Sequence, residues 1–175
     1  MIELSYISLQ FFIKITEVNL LMSSLAEIKK AIENYLRDDD WHYTLDKESN
    51  IIRCGVNLNN RLQECKIIID IRDDKYMVYG LINLNCDEPH KDQMAKLIAM
   101  INYGLIIGNF ELDYSDGEVR YKTATNCKNC TPSKEVVEDS IMIPAFMFNR
   151  FGDAIIEVMF GVKDAQEAFD DIPED

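Results

Sequence analysis

Apolar residues recur along this chain with two different periods, and the switches between them lay out its elements. From Leu25 onward, Ile28, Ala31, Ile32, Tyr35 and Leu36 fall on one helical face that runs to about Arg37. Ser24-Leu25-Ala26-Glu27 reads as the capping box that opens this helix. The Asp38-Asp39-Asp40 run marks its exit, because acid at a helix C-terminus opposes the dipole. The period then becomes two. Trp41, Tyr43 and Leu45 alternate with His42 and Thr44, Ile52, Cys54, Val56 and Leu58 share one face, and Cys65, Ile67, Ile69 and Ile71 share another. A turn at Asp73-Asp74 would set Ile71 opposite Tyr76 and Ile69 opposite Val78, which keeps both strands apolar on one side. The result is an antiparallel meander with one wet face.

Pro89 stands where a helix can start, and Met94, Leu97, Ile98, Ile101 and Leu105 follow at helical spacing, with Gly104 as the stop. The segment "NFELDYSDGEVRYKT" predicts a hairpin with Asp116-Gly117 in a two-residue turn. That register pairs Tyr114 with Val119, Asp113 with Arg120, Leu112 with Tyr121 and Glu111 with Lys122, so apolar pairs share one face and opposite charges the other. Ser133 or Thr131 caps a last helical region, which Pro144 is expected to break into roughly 133–142 and 145–160. The acidic tail after Lys163 predicts a short helix that frays.

The order α-ββββ-α-ββ-α(α) defines an α+β fold, an antiparallel sheet packed against helices. Residues 1–23 read as an N-terminal arm, 24–162 as the folded domain and 163–175 as an acidic tail. The apolar start lacks the basic flank and cleavage site of a signal peptide, and Lys14 and Glu17 interrupt it. It is a short strand or docking arm, and a natural start at Met22 fits the pattern too.

Charge removes several classes of partner. The 175 residues hold 18 basic and 31 acidic side chains, a net charge of −13, which argues against a nucleic-acid backbone or an anionic membrane. Five scattered cysteines, an odd number in a chain long enough to need no staples, fit a reducing cytoplasm.

The segments "QMAKLIAMINYGL", "GNFELDYSDGEVRYKTA" and, upstream, "DKYMVYG" resemble the YbjN domain family, also labelled bacterial sensory transduction regulators. The resemblance covers about residues 24–160. It implies a fold like that of the type III secretion chaperones, small acidic proteins that usually dimerise and hold another polypeptide. The matching residues are turn glycines, core aromatics and hairpin pairs, among them Asn102, Gly104, Gly108, Phe110, Gly117 and Tyr121, so no catalytic residue is carried over.

Reactive groupings are few. Cys127-Lys128-Asn129-Cys130 supplies two thiols of a zinc or redox site, and His42, His90 or Cys86 would have to converge on it from other elements. The plainer reading is a loop with two incidental thiols. Of the carboxylates, Glu111 and Asp113 face basic partners that hold them ionised, Asp70 has no acid partner in the pattern, and Asp73-Asp74 is turn chemistry. Gly104 and Gly108 follow a helix rather than precede one, so they make no phosphate cradle. Neither an enzyme site nor a cofactor is therefore expected. Residues 141–148 differ in carrying no charge over two helical turns. Val137, Ile141, Ala145 and Phe148 can form an inner stripe, which leaves Met142, Phe146 and Met147 pointing elsewhere. These side chains either pack under the N-terminal arm or beside the tail, or make a contact surface; on the second reading Met142, Phe146, Met147, Phe148 and Phe151 are the candidate surface for a protein or peptide partner or a homodimer. The function expected is a non-enzymatic, cytoplasmic protein-binding module, chaperone-like or regulatory. The alternative is a metal- or redox-responsive regulator using Cys127 and Cys130.

Overall fold

The two periods separate into a sheet and a helical layer in the computed structural model, which describes residues 24–173. The arm expected over residues 1–23 and the alternative start at Met22 lie outside the described residues. Helix α1 spans 24–38. It is followed by β1 (Thr44–Asp46), β2 (Ile51–Asn57), β3 (Glu64–Arg72) and β4 (Lys75–Asn85). A 3-10 turn at Glu88–His90 leads into α2 (Lys91–Tyr103), and β5 (Asn109–Leu112), β6 (Glu118–Asn126), α3 (Lys134–Met159) and α4 (Ala165–Asp170) complete the order. The strands form one antiparallel sheet, β1-β2-β3-β4-β6-β5. The order of elements is the one expected from the periodicities.

Registers follow the pleat. Ile71 faces Tyr76 and Ile69 faces Val78, as predicted. Ile52, Cys65, Ile67, Ile69, Tyr76, Val78, Val119 and Tyr121 point inward and are fully buried against Ile28, Ile32, Leu36, Met94, Leu97, Ile141 and Phe148 of the helices. A fully buried aliphatic side chain contributes roughly 1.5–3 kcal/mol, so this layer dominates stability. The opposite face presents Lys66, Asp70, Arg72, Glu111, Arg120 and Lys122, all at least partly solvated.

The hairpin differs from expectation in its turn. Leu112 faces Val119, Glu111 faces Arg120 and Phe110 faces Tyr121, a slip of two residues from the predicted register. The loop is therefore the four residues 114–117. Asp113 Oδ1 accepts from the Ser115 amide (2.8 Å) and Asp116 Oδ1 from the Glu118 amide (2.9 Å), so both aspartates serve the loop backbone rather than cross-strand pairs. Gly117, at φ +81°, donates to Asp113 O and accepts from the Cys86 amide, and a Cβ there would run into the Cys86 carbonyl. Side-chain direction repeats every two residues, so this slip leaves the apolar face intact. Glu111 now reaches both Arg120 and Lys122.

Pro144 does not break the last helix. Helix α3 runs unbroken from Lys134 to Met159, with Ser133 capping the Val136 amide. Proline removes the N–H that would satisfy the Ser140 carbonyl, and the Thr123 hydroxyl of β6 donates to that carbonyl instead (3.2 Å). Gly80 makes room beneath the ring, since a Cβ there would lie 2.5 Å from Pro144 Cβ. Sheet and helix together supply what the proline takes away. The tail behaves differently as well. Asp164 and Glu167 form a capping box, and Ala165 and Ala168 are buried, so α4 is packed rather than frayed.

Candidate functional site

Two of the three acids at the end of α1, Asp39 and Asp40, also build one wall of a groove. Asp40 takes the left-handed conformation (φ 54°), its amide donates to Arg37 O, and the Trp41 amide reaches back to Leu36 O at 2.8 Å. This is a Schellman-type stop with aspartate in the place usually held by glycine. Such stops carry an apolar contact back onto the last turn, and here Trp41 packs on Tyr35 with ring centroids 6.3 Å apart. Across the gap, Met142 and Phe146 lie one turn apart on the face of α3 turned away from the sheet. Met142 is half-buried and Phe146 is 54% exposed.

Together these side chains floor a groove formed by two adjoining depressions. One, of about 340 Å³, is lined by Tyr35, Trp41, Met142 and Phe146 with Asp39, Glu138 and Asp139 at its rim. The other, about 320 Å³, shares Asp39, Trp41 and Met142 and continues past Asp40 and His42 to Gly55 and Val56. Lys134 bridges to Asp39 (3.2 Å) and lies 6.0 Å from the Tyr35 ring centre. Burial, reinforced by the charges of Asp39 and Glu138, pushes the Tyr35 hydroxyl up to about 12. The groove is apolar at its base and negative at its rim.

The remaining predicted contact residues divide. Met147 is half-buried against the core. Phe148 (0% exposed) and Phe151 (6%) lie inside it, with ring centroids 5.3 and 5.9 Å from that of Phe110 in edge-on contacts. Truncating either to alanine would cost about 3–5 kcal/mol, the penalty of a core aromatic. These two hold the fold, and the accessible surface reduces to Met142 and Phe146. Tyr35, Trp41, Asp39 and Asp40 complete the groove and were not legible as site residues. The signal for them was Asp40-Trp41, an αL-tolerant residue followed by a large apolar one at a helix exit.

The other candidate groupings do not assemble. Cys127 is buried, its thiol pushed up to about 11 by burial first and by neighbouring Cys130 and Asp74 second, whereas Cys130 is exposed. Among the described residues, no three His, Cys, Asp or Glu side chains converge where a metal could be held, so His42, His90 and Cys86 do not join the loop. Burial pushes the Glu111 carboxyl up, but hydrogen bonds from Lys122 and Arg120 outweigh it and hold the group below its ordinary value. Asp113 is lowered by Ser115, and Asp70 is bridged by Arg72 at 2.8 Å. Such carboxylates are poor general acids. Burial raises the Tyr121 hydroxyl to about 12, and it donates to Ile107 O, a structural bond at the start of β5.

The β5 edge is blocked at Phe110. Asn102 accepts from the Phe110 amide (2.8 Å) and donates to its carbonyl (3.0 Å), occupying the positions an added strand would use. Nearby, Tyr103 (97% exposed) ends α2 and Ile106 (98%) stands on the turn after it; Tyr103 lines a depression of about 490 Å³ with Met100, Leu105, Phe151 and Phe169. No helix among the described residues is long and apolar enough to cross a membrane.

A six-stranded antiparallel sheet with helices on one face and an apolar groove between α1 and α3 defines a small α+β domain. The family model described as "YbjN: Putative bacterial sensory transduction regulator" matches residues 29–157, and the chain belongs to that family. Among solved structures, the crystal structure of YbjN from E. coli, described as a putative transcription regulator, aligns with a TM-score of 0.50 and 10% identity. It covers 69% of this chain and 90% of its own, and at that identity the likeness is one of fold. A chain of the HopA1–SchA chaperone–effector complex aligns with a TM-score of 0.47 and 16% identity, covering 74% of this chain and 94% of its own. No curated protein sequence matches.

Proposed function

We propose that this YbjN-family chain is a non-enzymatic, cytoplasmic protein-binding module, chaperone-like or regulatory, which holds an apolar segment of a partner protein in the α1–α3 groove and self-associates. The observation that carries the proposal is the floor of that groove. Trp41 and Met142 are half-buried and Phe146 is 54% exposed, so large apolar groups line a groove with an acidic rim. Methionine beside aromatic rings suits a surface that adapts to more than one shape. Each apolar anchor buried there contributes about 1.5–3 kcal/mol toward association. Glu111, ion-paired on the sheet face, and Asp113, held by Ser115 in the hairpin loop, both have depressed carboxyls, which favours the non-enzymatic reading. The metal or redox alternative gains no support from a loop whose first thiol is buried and whose second is exposed.

The single tryptophan of the chain lies in the groove and reports on it directly. Titrating the full chain with a synthetic amphipathic helical peptide, with Leu and Phe anchors and an uncharged Gln/Ala polar face, should shift Trp41 emission to the blue and saturate. The M142D/F146D double variant should lose that response yet keep its thermal unfolding profile. A variant that unfolds, or one that responds as before, would overturn the assignment of these two residues. Sedimentation of the full chain tests self-association separately.

A further inference from the structure

We infer that the α1–α3 groove is selective for a basic amphipathic segment in which the cations lie about one helical turn from the apolar anchors; the inference rests on the binding role proposed above. Glu138, Met142 and Phe146 follow each other at intervals of four along α3, so one stripe of that helix passes from acid to apolar. At 1.5 Å per residue the change from Glu138 to Met142 takes about 6 Å, and Phe146 lies about 6 Å further on. Asp39 and Asp139 line the same depression as Glu138, and Asp40 lines the adjoining one beside Met142. Along α3 the groove therefore runs from acid at Glu138 to apolar at Phe146, with the aspartates of α1 on its rim.

The negative charge is only partly neutralised from within, by Lys134. Lys134 pairs with Asp39, and among the described residues neither Asp40, Glu138 nor Asp139 forms a salt bridge. Three exposed carboxylates around a strip of aromatic and Met side chains would repel an acidic ligand and attract Lys or Arg, with apolar anchors seated further along α3. An occupant of about two helical turns matches the distance from Glu138 to Phe146. The occupant is thus a peptide segment with one or two Lys or Arg residues, then two apolar anchors spaced i, i+4.

Three peptides with the same anchors test this by Trp41 emission on the full chain. One carries Lys/Arg at the flank, one Glu, and one Gln. The basic peptide should bind at least tenfold more tightly than the Glu peptide at 50 mM NaCl, and most of that preference should vanish by 500 mM, where screening is strong. The triple variant D40N/E138Q/D139N, which keeps the shapes and removes the charge, should bring the basic and Gln peptides to equal affinity while Gln-peptide binding is unchanged. Equal affinities on the native chain, or a preference that survives the triple variant, would overturn the selectivity while leaving the groove a binding site. No binding of any of the three would overturn the binding role itself.

Discussion

Thr123→Val tests how this fold tolerates a proline in the middle of its longest helix. The hydroxyl of Thr123 donates to the Ser140 carbonyl, the group left without its helical donor by Pro144, and Thr123 is only 4% exposed. Water cannot readily replace the hydroxyl there, and valine keeps the shape while removing the donor. A buried carbonyl left unpaired costs about 1–3 kcal/mol, so a loss near 2 kcal/mol is expected, or roughly 4–8 °C in Tm for a chain of this size. Urea unfolding followed by circular dichroism should show a lower midpoint with an unchanged slope. The decisive measurement is a double-mutant cycle with Pro144→Ala, which restores an amide at position 144 for the Ser140 carbonyl. In that background Thr123→Val should cost about 1 kcal/mol less than in the native chain. An equal cost in both backgrounds would refute the reasoning, because the hydroxyl would then not be substituting for the missing amide.

Two further outcomes follow from the sheet face and the thiols. Glu111, although raised by burial, is held below its ordinary 4.5 overall by Lys122 and Arg120; its stabilisation is therefore full above about pH 4.5 and is lost as pH falls through the lower folded-state value. The stability gap between the native chain and E111Q, read from urea midpoints, should narrow between pH 7 and pH 3, and a gap independent of pH would contradict it. Of the five free cysteines, Cys130 is exposed, whereas burial pushes Cys54 and Cys65 up to about 12 and Cys127 up to about 11. A thiol reagent at pH 8 should titrate one group rapidly, C130S should remove that phase, and a second rapid thiol would show that the Cys127 loop opens in solution.

Local pattern served well wherever one periodicity had to satisfy one face. The β3–β4 register, the apolar stripe of α2 and its stop at Gly104 could all be read from spacing, because a one-residue error would have turned an entire apolar set toward water. The hairpin loop shows the limit of that logic. A slip of two residues leaves every face unchanged, so the pattern cannot distinguish a two-residue turn from a four-residue one. The tie between Gly117 and Cys86, distant in sequence, decides the length. Spacing places Phe148 on the inner stripe of α3 yet leaves it and Phe151 among the contact candidates, because α3 is apolar over more than one stripe; their contacts with Phe110 put both in the core.

The chain's own sequence determined the α+β class, the order of its elements, the inward face of each central strand and the absence of a local reactive motif, since each depends on neighbours within a few residues. Only the tertiary structure decided that α3 stays whole through Pro144, that Asn102 caps Phe110 on the β5 edge, and that Trp41 meets Met142 in a groove with an acidic rim. Each of these joins residues from elements far apart in the chain, and a hydrogen bond or an apolar contact between such residues leaves no period for a sequence to display.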